Sequence, residues 1–266
     1  MTRKLTTRNL IEMKAANTKI ASLTAYDATF ARLLDTEKVD VILVGDSLGM
    51  VIQGGADTLA VTLRDMIYHS AIVSRVVERG LVVVDMPFMS YTSTAQALGN
   101  AARLVSEGGA DVVKLEGGAI ILESVRVLTE RGIAVCGHLG LTPQSIHQLG
   151  GYHVQGRDTE AAAAMRRDAL DLQAAGACML VLECVPSGLA GEISRSLSIP
   201  VIGIGAGDQC DGQVLVLQDM LGISGLALRF SRNFLTGADS IQQAVAHYVS
   251  AVRDGSFPAP EHHMAP

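Results

Sequence analysis

The sequence has 266 residues, of which 48% are hydrophobic and 4% aromatic, with 27 glycines and no tryptophan. A length of about 250 residues with this apolar content is typical of one globular domain with a large core, and it argues against a disordered chain. The 21 basic and 27 acidic residues give a formal net charge of −6, and this balance with so few aromatic side chains argues against nucleic acid as a partner.

The start of the chain, residues 1–19, is polar and lacks the apolar stretch of a secretory signal peptide. No apolar run approaches the roughly 18 residues that a membrane-spanning helix needs. The four cysteines, Cys136, Cys178, Cys184 and Cys210, form no Cys-x-x-Cys pair, which argues against a zinc or redox motif. We therefore expect a soluble, cytoplasmic protein with reduced thiols and no membrane partner.

Eight short runs rich in Val, Ile and Leu recur along the chain, and such near-continuous apolar runs are typical of parallel strands buried on both faces. The runs lie at 20–27, 41–47, 81–87, 111–117, 133–140, 178–186, 200–207 and 224–230. The stretches between them carry helix signals: Thr62 and Asp158 stand where N-caps are expected, and Gly176 stands where a helix would end. Further helices are predicted at about 27–38, 94–107, 118–131, 188–197, 209–221 and 238–254.

Eight strands that alternate with eight helices predict an α/β fold of right-handed βαβ units. Such units either close into a barrel or spread into a doubly wound sheet. The count, the length and the absence of a linker favour closure, so we predict a single (β/α)₈ TIM barrel over residues 1–257. The proline-rich segment 258–266 is predicted to be a flexible C-terminal tail.

Charged and polar residues occur where the apolar runs stop, whereas the amino ends of the same runs show no such concentration. In a barrel of this type the functional site lies at the carboxyl ends of the strands, so the pattern predicts an enzyme. The residues concerned are Asp27, Asp46, Ser47, Asp85, Lys114, Glu116, His138 and Glu183.

Three of these acids, Asp46, Asp85 and Glu116, end three successive strands and are expected to face one mouth. Converging carboxylates repel one another unless a cation or protons intervene, and oxygen-only ligands favour Mg²⁺. Each Asp alone also fits a helix N-cap. Lys114 lies two residues before Glu116, so both side chains point to the same side of the strand. Two roles are open for Lys114: an ion pair with a neighbouring carboxylate, or the binding of an anion.

His138 lies between two glycines, and two roles are open for it: to form hydrogen bonds within the protein or to orient a ligand. Glu183 follows the apolar run 179–182, where an acid is expensive to bury without a purpose. The segment Gly203–Gly207 (GIGAG) lacks the full G-x-G-x-x-G spacing of dinucleotide-binding proteins. We interpret it as the loop after the seventh strand, with backbone amides that face a ligand.

Several longer motifs resemble one family, that of ketopantoate hydroxymethyltransferase. The resemblance extends from about residue 3 to 254, and the motifs are long enough to be highly specific. They are LVGDSLG (43–49), VVVDMPFMSY (82–91), VVKLEGG (112–118), GHLGLTPQS (137–145), LVLECVP (180–186) and the stretch 200–222.

This resemblance implies a barrel of the phosphoenolpyruvate/pyruvate superfamily type, assembled as a homodecamer and dependent on Mg²⁺. It implies transfer of a one-carbon unit from methylenetetrahydrofolate to 3-methyl-2-oxobutanoate, which gives 2-dehydropantoate for pantothenate and coenzyme A biosynthesis. By resemblance, Asp46, Asp85 and Glu116 bind the metal, and Glu183 is the proton acceptor. Ser47 and Lys114 bind the oxo acid together with the two aspartates.

Two other functions compete with this one. The first is a Mg²⁺-dependent lyase that acts on C–C bonds of oxo acids in the same superfamily. This chain shares only Cys136-Gly137-His138 with the Lys-Lys-Cys-Gly-His signature of isocitrate-lyase-like enzymes. The second is a catalytically inert barrel that binds a metal.

Overall fold

The computed structural model of the chain describes residues 4–264, so the first three positions of the predicted domain and the last two of the predicted tail lie outside the described residues. Its strands are β1 (Ile20–Thr24), β2 (Val41–Val44), β3 (Leu81–Asp85), β4 (Val112–Glu116), β5 (Val135–Gly140), β6 (Met179–Glu183), β7 (Val201–Ile204) and β8 (Gly212–Leu215). Each strand pairs in parallel with the next along the chain, and β8 pairs with β1 to close a barrel. The predicted (β/α)₈ fold is confirmed.

Helices surround the barrel and connect its strands. They are α1 (Thr7–Ala15), α2 (Ala28–Thr36), α3 (Leu48–Val51), α4 (Leu63–Ser74), α5 (Thr94–Ser106), α6 (Leu122–Glu130), α7 (Ile146–Leu149), α8 (Thr159–Ala174), α9 (Ser187–Ser196), α10 (Leu217–Met220) and α11 (Ile241–Asp254). Thr62 and Asp158 are the N-caps of α4 and α8, as predicted. Asp27 is the N-cap of α2, where its side chain accepts two backbone N–H groups, so its role is structural.

Side chains of each strand alternate between the inside of the barrel and the surrounding helices. In β4, Val113 and Leu115 belong to the core between barrel and helices, whereas Val112 belongs to the cluster inside the barrel. Lys114 and Glu116 follow Val112 at two-residue spacing, so they share its inward direction. This alternation brings both charged groups to the barrel mouth.

The last strand differs from the prediction. Segment 224–230 forms no strand, and β8 lies inside the stretch 209–221 that was predicted to be helical. The residues Gly212–Leu215 pair with β1 and β7, although the run is short and contains a glutamine. The apolar segment 224–230 is largely exposed or half-buried. Apolar content alone therefore gave the wrong location for this strand, because closure depends on pairing with two distant neighbours.

The sequence patterns did not indicate helix α1, which precedes the barrel. Thr6 and Asn9 form a capping box at its start, and its residue Leu10 is buried in the cluster inside the barrel. The short helix therefore closes the amino end of the barrel with an apolar plug.

The amino ends of the strands are also richer in charge than the sequence patterns indicated. Three aspartates there accept a hydrogen bond from a backbone N–H of a neighbouring strand: Asp40 from Ala21, Asp111 from Val82 and Asp211 from Val201. Each also forms an ion pair with a basic side chain. These aspartates satisfy buried backbone groups, so charge at this end stabilises the fold.

The end of the chain contacts the barrel mouth. Residues Pro260–His262 form a single helical turn, the Arg229 side chain donates a hydrogen bond to the Glu261 carbonyl, and Met264 lines the large cavity described below. The predicted mobility of this tail and the domain boundary at residue 257 stay predictions. Within residues 4–264, no helix combines the length and the apolar character needed to cross a bilayer.

Candidate active site

The carboxyl ends of the strands surround a cavity of about 1030 Å³. Every residue singled out for chemistry at this end, Asp27 excepted, lines it. These are Asp46, Ser47, Asp85, Lys114, Glu116, His138 and Glu183. The prediction that these seven side chains face one mouth agrees with the structure, and their roles stay predictions.

The strand register explains how these side chains meet. Asp85 pairs with Lys114 across β3 and β4, and Glu116 pairs with His138 across β4 and β5. Glu183 ends β6, the next strand around the barrel. Because the strands are parallel and in close register, residues at their carboxyl ends are neighbours although they are distant in sequence.

Lys114 lies among the carboxylates at the barrel mouth. Its Nζ is 3.0 Å from Asp85 Oδ1 and 3.8 Å from Glu116 Oε1, and all three side chains are almost fully buried. The backbone N–H of Asp46 donates to Asp85 Oδ2 at 3.0 Å. Of the two roles left open for Lys114, the ion pair is present in the structure, and the binding of an anion stays a prediction.

Burial and mutual repulsion dominate the electrostatics of this group. Burial raises the pKa of the Asp46 carboxyl well above its ordinary value, and the charges of Asp85 and Glu116 raise it further. Burial lowers the pKa of Lys114, but the surrounding carboxylates outweigh it and raise the pKa above its ordinary value. Repulsion among the three buried carboxylates is therefore only partly offset by Lys114.

The buried carboxylate oxygens fit a divalent cation. Asp85 Oδ1 and Glu116 Oε1 are buried and have no hydrogen-bond partner of good geometry among the described residues. Over residues 4–264, no three His, Cys, Asp or Glu side chains are already spaced to hold a metal ion. Mg²⁺ in proteins is commonly bound by one or two carboxylates together with water or substrate oxygens, so these carboxylates would be suitable ligands. The assignment of Asp46, Asp85 and Glu116 as its ligands stays a prediction.

His138 connects two acidic residues of the site. Its Nδ1 is 3.2 Å from Glu116 Oε1, and its Nε2 is 3.3 Å from Glu183 Oε2. Burial and the nearby Lys114 lower the pKa of His138, but hydrogen bonds to the two glutamates outweigh them and raise it to about 9. The imidazole therefore holds Glu183, whose side chain is 15% exposed, against the buried group.

Gln144 is a residue of this site that the sequence patterns did not indicate. Its Nε2 donates to Asp46 Oδ2 at 2.8 Å and to the Met86 carbonyl at 2.9 Å. Its backbone N–H donates to Glu116 Oε2 at 3.0 Å, and its Oε1 accepts a hydrogen bond from the Tyr91 hydroxyl. The only available signal was its place in the motif 137–145, directly after a strand that ends at the cavity.

The glycine-rich segment Gly203–Gly207 begins inside β7, and only its residues 205–207 form the predicted loop after the strand. Gly205 and Gly207 have φ angles of 62° and 80°, which only glycine adopts without strain. The Gly207 carbonyl accepts a hydrogen bond from the buried Gln213 side chain. Contact of this loop with a ligand stays a prediction. The four cysteines are free, in agreement with the expected reduced thiols.

Known proteins similar to this chain agree in family and in fold. The model of the family "ketopantoate hydroxymethyltransferase" matches residues 4–260. A 3-methyl-2-oxobutanoate hydroxymethyltransferase of Methylobacillus flagellatus is 59% identical over 254 residues, which cover 95% of this chain and 97% of that protein.

Two solved structures have a similar fold. Phosphonopyruvate hydrolase in complex with oxalate and Mg²⁺ gives a TM-score of 0.63 at 10% identity, covering 96% of this chain and 99% of that chain. A 2,3-dimethylmalate lyase, a member of the PEP mutase/isocitrate lyase superfamily, gives a TM-score of 0.58 at 17% identity, covering 85% of this chain and 83% of that chain. At these identities the likeness is one of fold alone, and it agrees with the predicted (β/α)₈ barrel.

Proposed function

The chain belongs to the ketopantoate hydroxymethyltransferase family, and from that premise we propose that it is the enzyme that transfers a hydroxymethyl group to 3-methyl-2-oxobutanoate. The proposed donor is methylenetetrahydrofolate, and with water the products are 2-dehydropantoate and tetrahydrofolate. The main support for the proposal is that Glu183 lines the same cavity as Asp46, Asp85, Lys114 and Glu116.

The buried carboxylates and Lys114 form the proposed binding half of the site. Mg²⁺ held by Asp46 and Asp85, with Glu116 beside it, would supply the Lewis acid that makes the C3 proton of an oxo acid easier to remove. The Lys114 ammonium offers a positive charge to the substrate carboxylate. Ser47, whose Oγ is 2.8 Å from the Tyr26 hydroxyl, offers a hydroxyl at the same mouth.

Glu183 is the proposed base. It lies on a different strand from the carboxylate group, so it can reach C3 while the other end of the substrate is held. The His138 imidazole forms an ion-pair contact with one of its oxygens at 3.3 Å, and the other oxygen is the proposed proton acceptor. The carbon nucleophile formed at C3 then forms a C–C bond with the one-carbon unit of the folate. Both bonds from that carbon to the folate nitrogens are broken, water supplies the hydroxyl group, and tetrahydrofolate is released.

Three finer properties belong to the same proposal. The family resemblance implies a cytoplasmic enzyme, a homodecamer and a place in pantothenate and coenzyme A biosynthesis. The net charge of −6 and the 4% aromatic content support small molecules rather than nucleic acid as its partners.

Deuterium exchange at C3 of 3-methyl-2-oxobutanoate in D₂O, without folate, tests the chemistry directly. We expect exchange with Mg²⁺ present and its abolition by EDTA. Glu183→Gln should lower the exchange rate by about 10²- to 10⁴-fold, the usual contribution of a positioned general base. The measurement is proton NMR of the C3 signal over time.

The matched control is Glu192→Gln, which neutralises an exposed glutamate that pairs with Arg166 on the outside of the barrel. Its exchange rate should equal that of the wild type. Turnover of an oxo acid without any folate would instead favour a lyase of the same superfamily. A folded, Mg²⁺-loaded protein that neither exchanges nor turns over would favour an inert barrel.

A further inference from the structure

The cavity is much larger than a small branched oxo acid needs. Its volume of about 1030 Å³ lies at the upper end of the range for sites that hold drug-sized ligands. The charged residues discussed so far come from β2 to β6. The wall formed by β7, β8 and the segment after them is therefore available for a second molecule.

This second wall is mainly apolar. Phe230 contributes an aromatic ring, most of the other side chains are aliphatic, and Ser224 and Arg229 of the same segment are polar. The larger apolar lining residues are Ile204, Leu215, Val216, Ile223, Leu226 and Phe230. A flat ring system packs well against such side chains.

Two hydrogen-bond acceptors interrupt the apolar wall. Asp219 Oδ1 and Gln218 Oε1 are buried, and neither has a hydrogen-bond partner among the described residues. Both residues line the cavity. Burial raises the pKa of the Asp219 carboxyl, and a hydrogen bond from Ser224 partly offsets this effect. Buried polar atoms without partners are rare in folded proteins and indicate a ligand or another missing partner.

The backbone holds these two residues in place. Thr24 Oγ1 accepts a hydrogen bond from the Leu217 N–H at 3.0 Å, which fixes the start of α10 against β1. The Gln218 carbonyl accepts hydrogen bonds from the backbone of Ile223 and Ser224. The acceptors are therefore presented by a rigid turn, which is what a specific binding site requires.

The second wall adjoins the carboxylate group. Tyr26 hydrogen-bonds Ser47 at 2.8 Å. Burial raises the pKa of Tyr26, and the carboxylates of Asp85 and Asp219 both add to this effect. A molecule on the second wall is thus next to the proposed oxo-acid site at Ser47 and Lys114.

We infer that this wall binds the pterin ring of the folate co-substrate, with Asp219 and Gln218 as hydrogen-bond acceptors for its N3–H and 2-amino groups. The inference rests on the proposed function and extends it to the folate subsite. An oxo acid offers only acceptors, so a buried carboxylate repels it. The amino-pyrimidinone edge of a pterin offers two adjacent N–H donors that match a carboxylate and an amide oxygen.

Asp219→Asn tests the assignment, because it keeps the size of the side chain and removes its charge. We expect the KM for methylenetetrahydrofolate and the dissociation constant of tetrahydrofolate to rise about 10- to 100-fold, the range for loss of a charged hydrogen bond. Folate-free deuterium exchange at C3 should stay within about twofold of the wild type. The matched control is Asp171→Asn, an exposed aspartate on α8, which should change neither quantity.

A ligand variant makes the test independent of the protein variant. A tetrahydrofolate analogue with methyl in place of the 2-amino group should bind the wild type at least about tenfold more weakly. Asp219→Asn should discriminate much less between the two folates. Gln218→Met, which removes the second acceptor, should weaken folate binding about threefold to tenfold. Because the two acceptors are tested in separate variants, a folding defect in one variant still allows the other to test the pterin assignment.

Unchanged folate affinity in folded Asp219→Asn, or equal binding of both folates by the wild type, would overturn the assignment of the pterin to this wall. Loss of C3 exchange in Asp219→Asn would overturn it too, because the residue would then act on the oxo-acid half of the site. A wild type that exchanges at C3 but neither binds nor uses methylenetetrahydrofolate would overturn the proposed transferase function, and this inference with it.

Discussion

Gln144 forms hydrogen bonds with both Asp46 and Glu116 of the candidate site, and no pattern in the sequence indicated these contacts. It lies in the turn Pro143–Ser145 after β5, yet its side chain reaches Asp46, which is 98 positions away in the chain. A glutamine in a polar loop carries no local signal of such a contact. The acids, by contrast, were predictable one by one, because an ionisable residue that directly follows a buried strand is conspicuous.

Gln144→Leu removes the donor to Asp46 and leaves the Met86 carbonyl without its partner. Because residues that orient metal ligands commonly change metal affinity or activity by 10- to 100-fold, we expect the Mg²⁺ concentration for half-maximal C3 exchange to rise by about that factor. Titration of the exchange rate with Mg²⁺ measures this.

Tyr91→Phe serves as the milder comparison, since it removes only the hydroxyl that donates to Gln144 Oε1. Its effect on the Mg²⁺ requirement should be smaller than that of Gln144→Leu. If both variants show the wild-type Mg²⁺ requirement, Gln144 does not orient the metal-site carboxylates.

At the scale of secondary-structure elements, local signals worked best where a helix begins. Thr62 and Asp65 form a reciprocal capping box: the Asp65 N–H donates to Thr62 Oγ1 at 3.2 Å, and the Thr62 N–H donates to Asp65 Oδ2 at 2.9 Å. The predicted start of α4 was correct because capping depends on residues three positions apart.

Asp65→Asn weakens this cap and should lower the free energy of unfolding at pH 7 by about 1 kcal/mol. Hydrogen bonds from the Thr62 side chain and backbone lower the pKa of Asp65. Its stabilisation is therefore complete above the unfolded-state pKa of about 3.9 and is lost as the pH falls through the lower folded-state value. Urea denaturation of both proteins at pH 7 and near pH 3 should give a smaller difference at the lower pH.

Thr62→Ala removes the reciprocal partner and provides the check. Thr62→Ala should lower the free energy of unfolding at pH 7 by a similar amount. The double variant should lower it by less than the sum of the two single decreases. Full additivity would mean that the two side chains do not act as one cap.

At the scale of the whole molecule, the two ends of the barrel use charge for different purposes. At the amino end, Asp40 is completely buried and forms ion pairs with Arg79 at 2.7 Å and Arg253 at 3.0 Å. Arg253 belongs to α11, so this contact connects the last helix to the start of β2. At the carboxyl end, Asp85 and Glu116 each have a buried oxygen with ion-pair contacts but no hydrogen bond of good geometry among the described residues, which is typical of a functional site.

Asp40→Ala leaves two guanidinium groups and the Ala21 N–H without their acceptor. We expect the free energy of unfolding to fall by about 3–5 kcal/mol, the usual range for breaking a buried ion pair from one side. C3 exchange per folded molecule should not change, because Asp40 is at the opposite end from the cavity. Urea denaturation followed by circular dichroism measures the first quantity.

The comparison for this variant is Glu130→Ala, which removes an exposed ion pair with Arg126 on α6. Exposed pairs contribute at most about 1 kcal/mol. If the two variants lower the free energy of unfolding equally, burial of the Asp40 ion pairs adds nothing to the stability of the barrel.

The sequence by itself determined the strand-helix alternation, seven of the eight strands and the acids at their carboxyl ends. Those features depend on neighbouring residues: continuous apolar runs, caps and the polar residue that ends a strand. Only the tertiary structure decided that Gly212–Leu215 closes the barrel, that α1 plugs its amino end, that Gln144 donates a hydrogen bond to Asp46, and that Gln218 and Asp219 line the cavity. Closure and convergence depend on pairing between residues far apart in the chain, which no local pattern encodes.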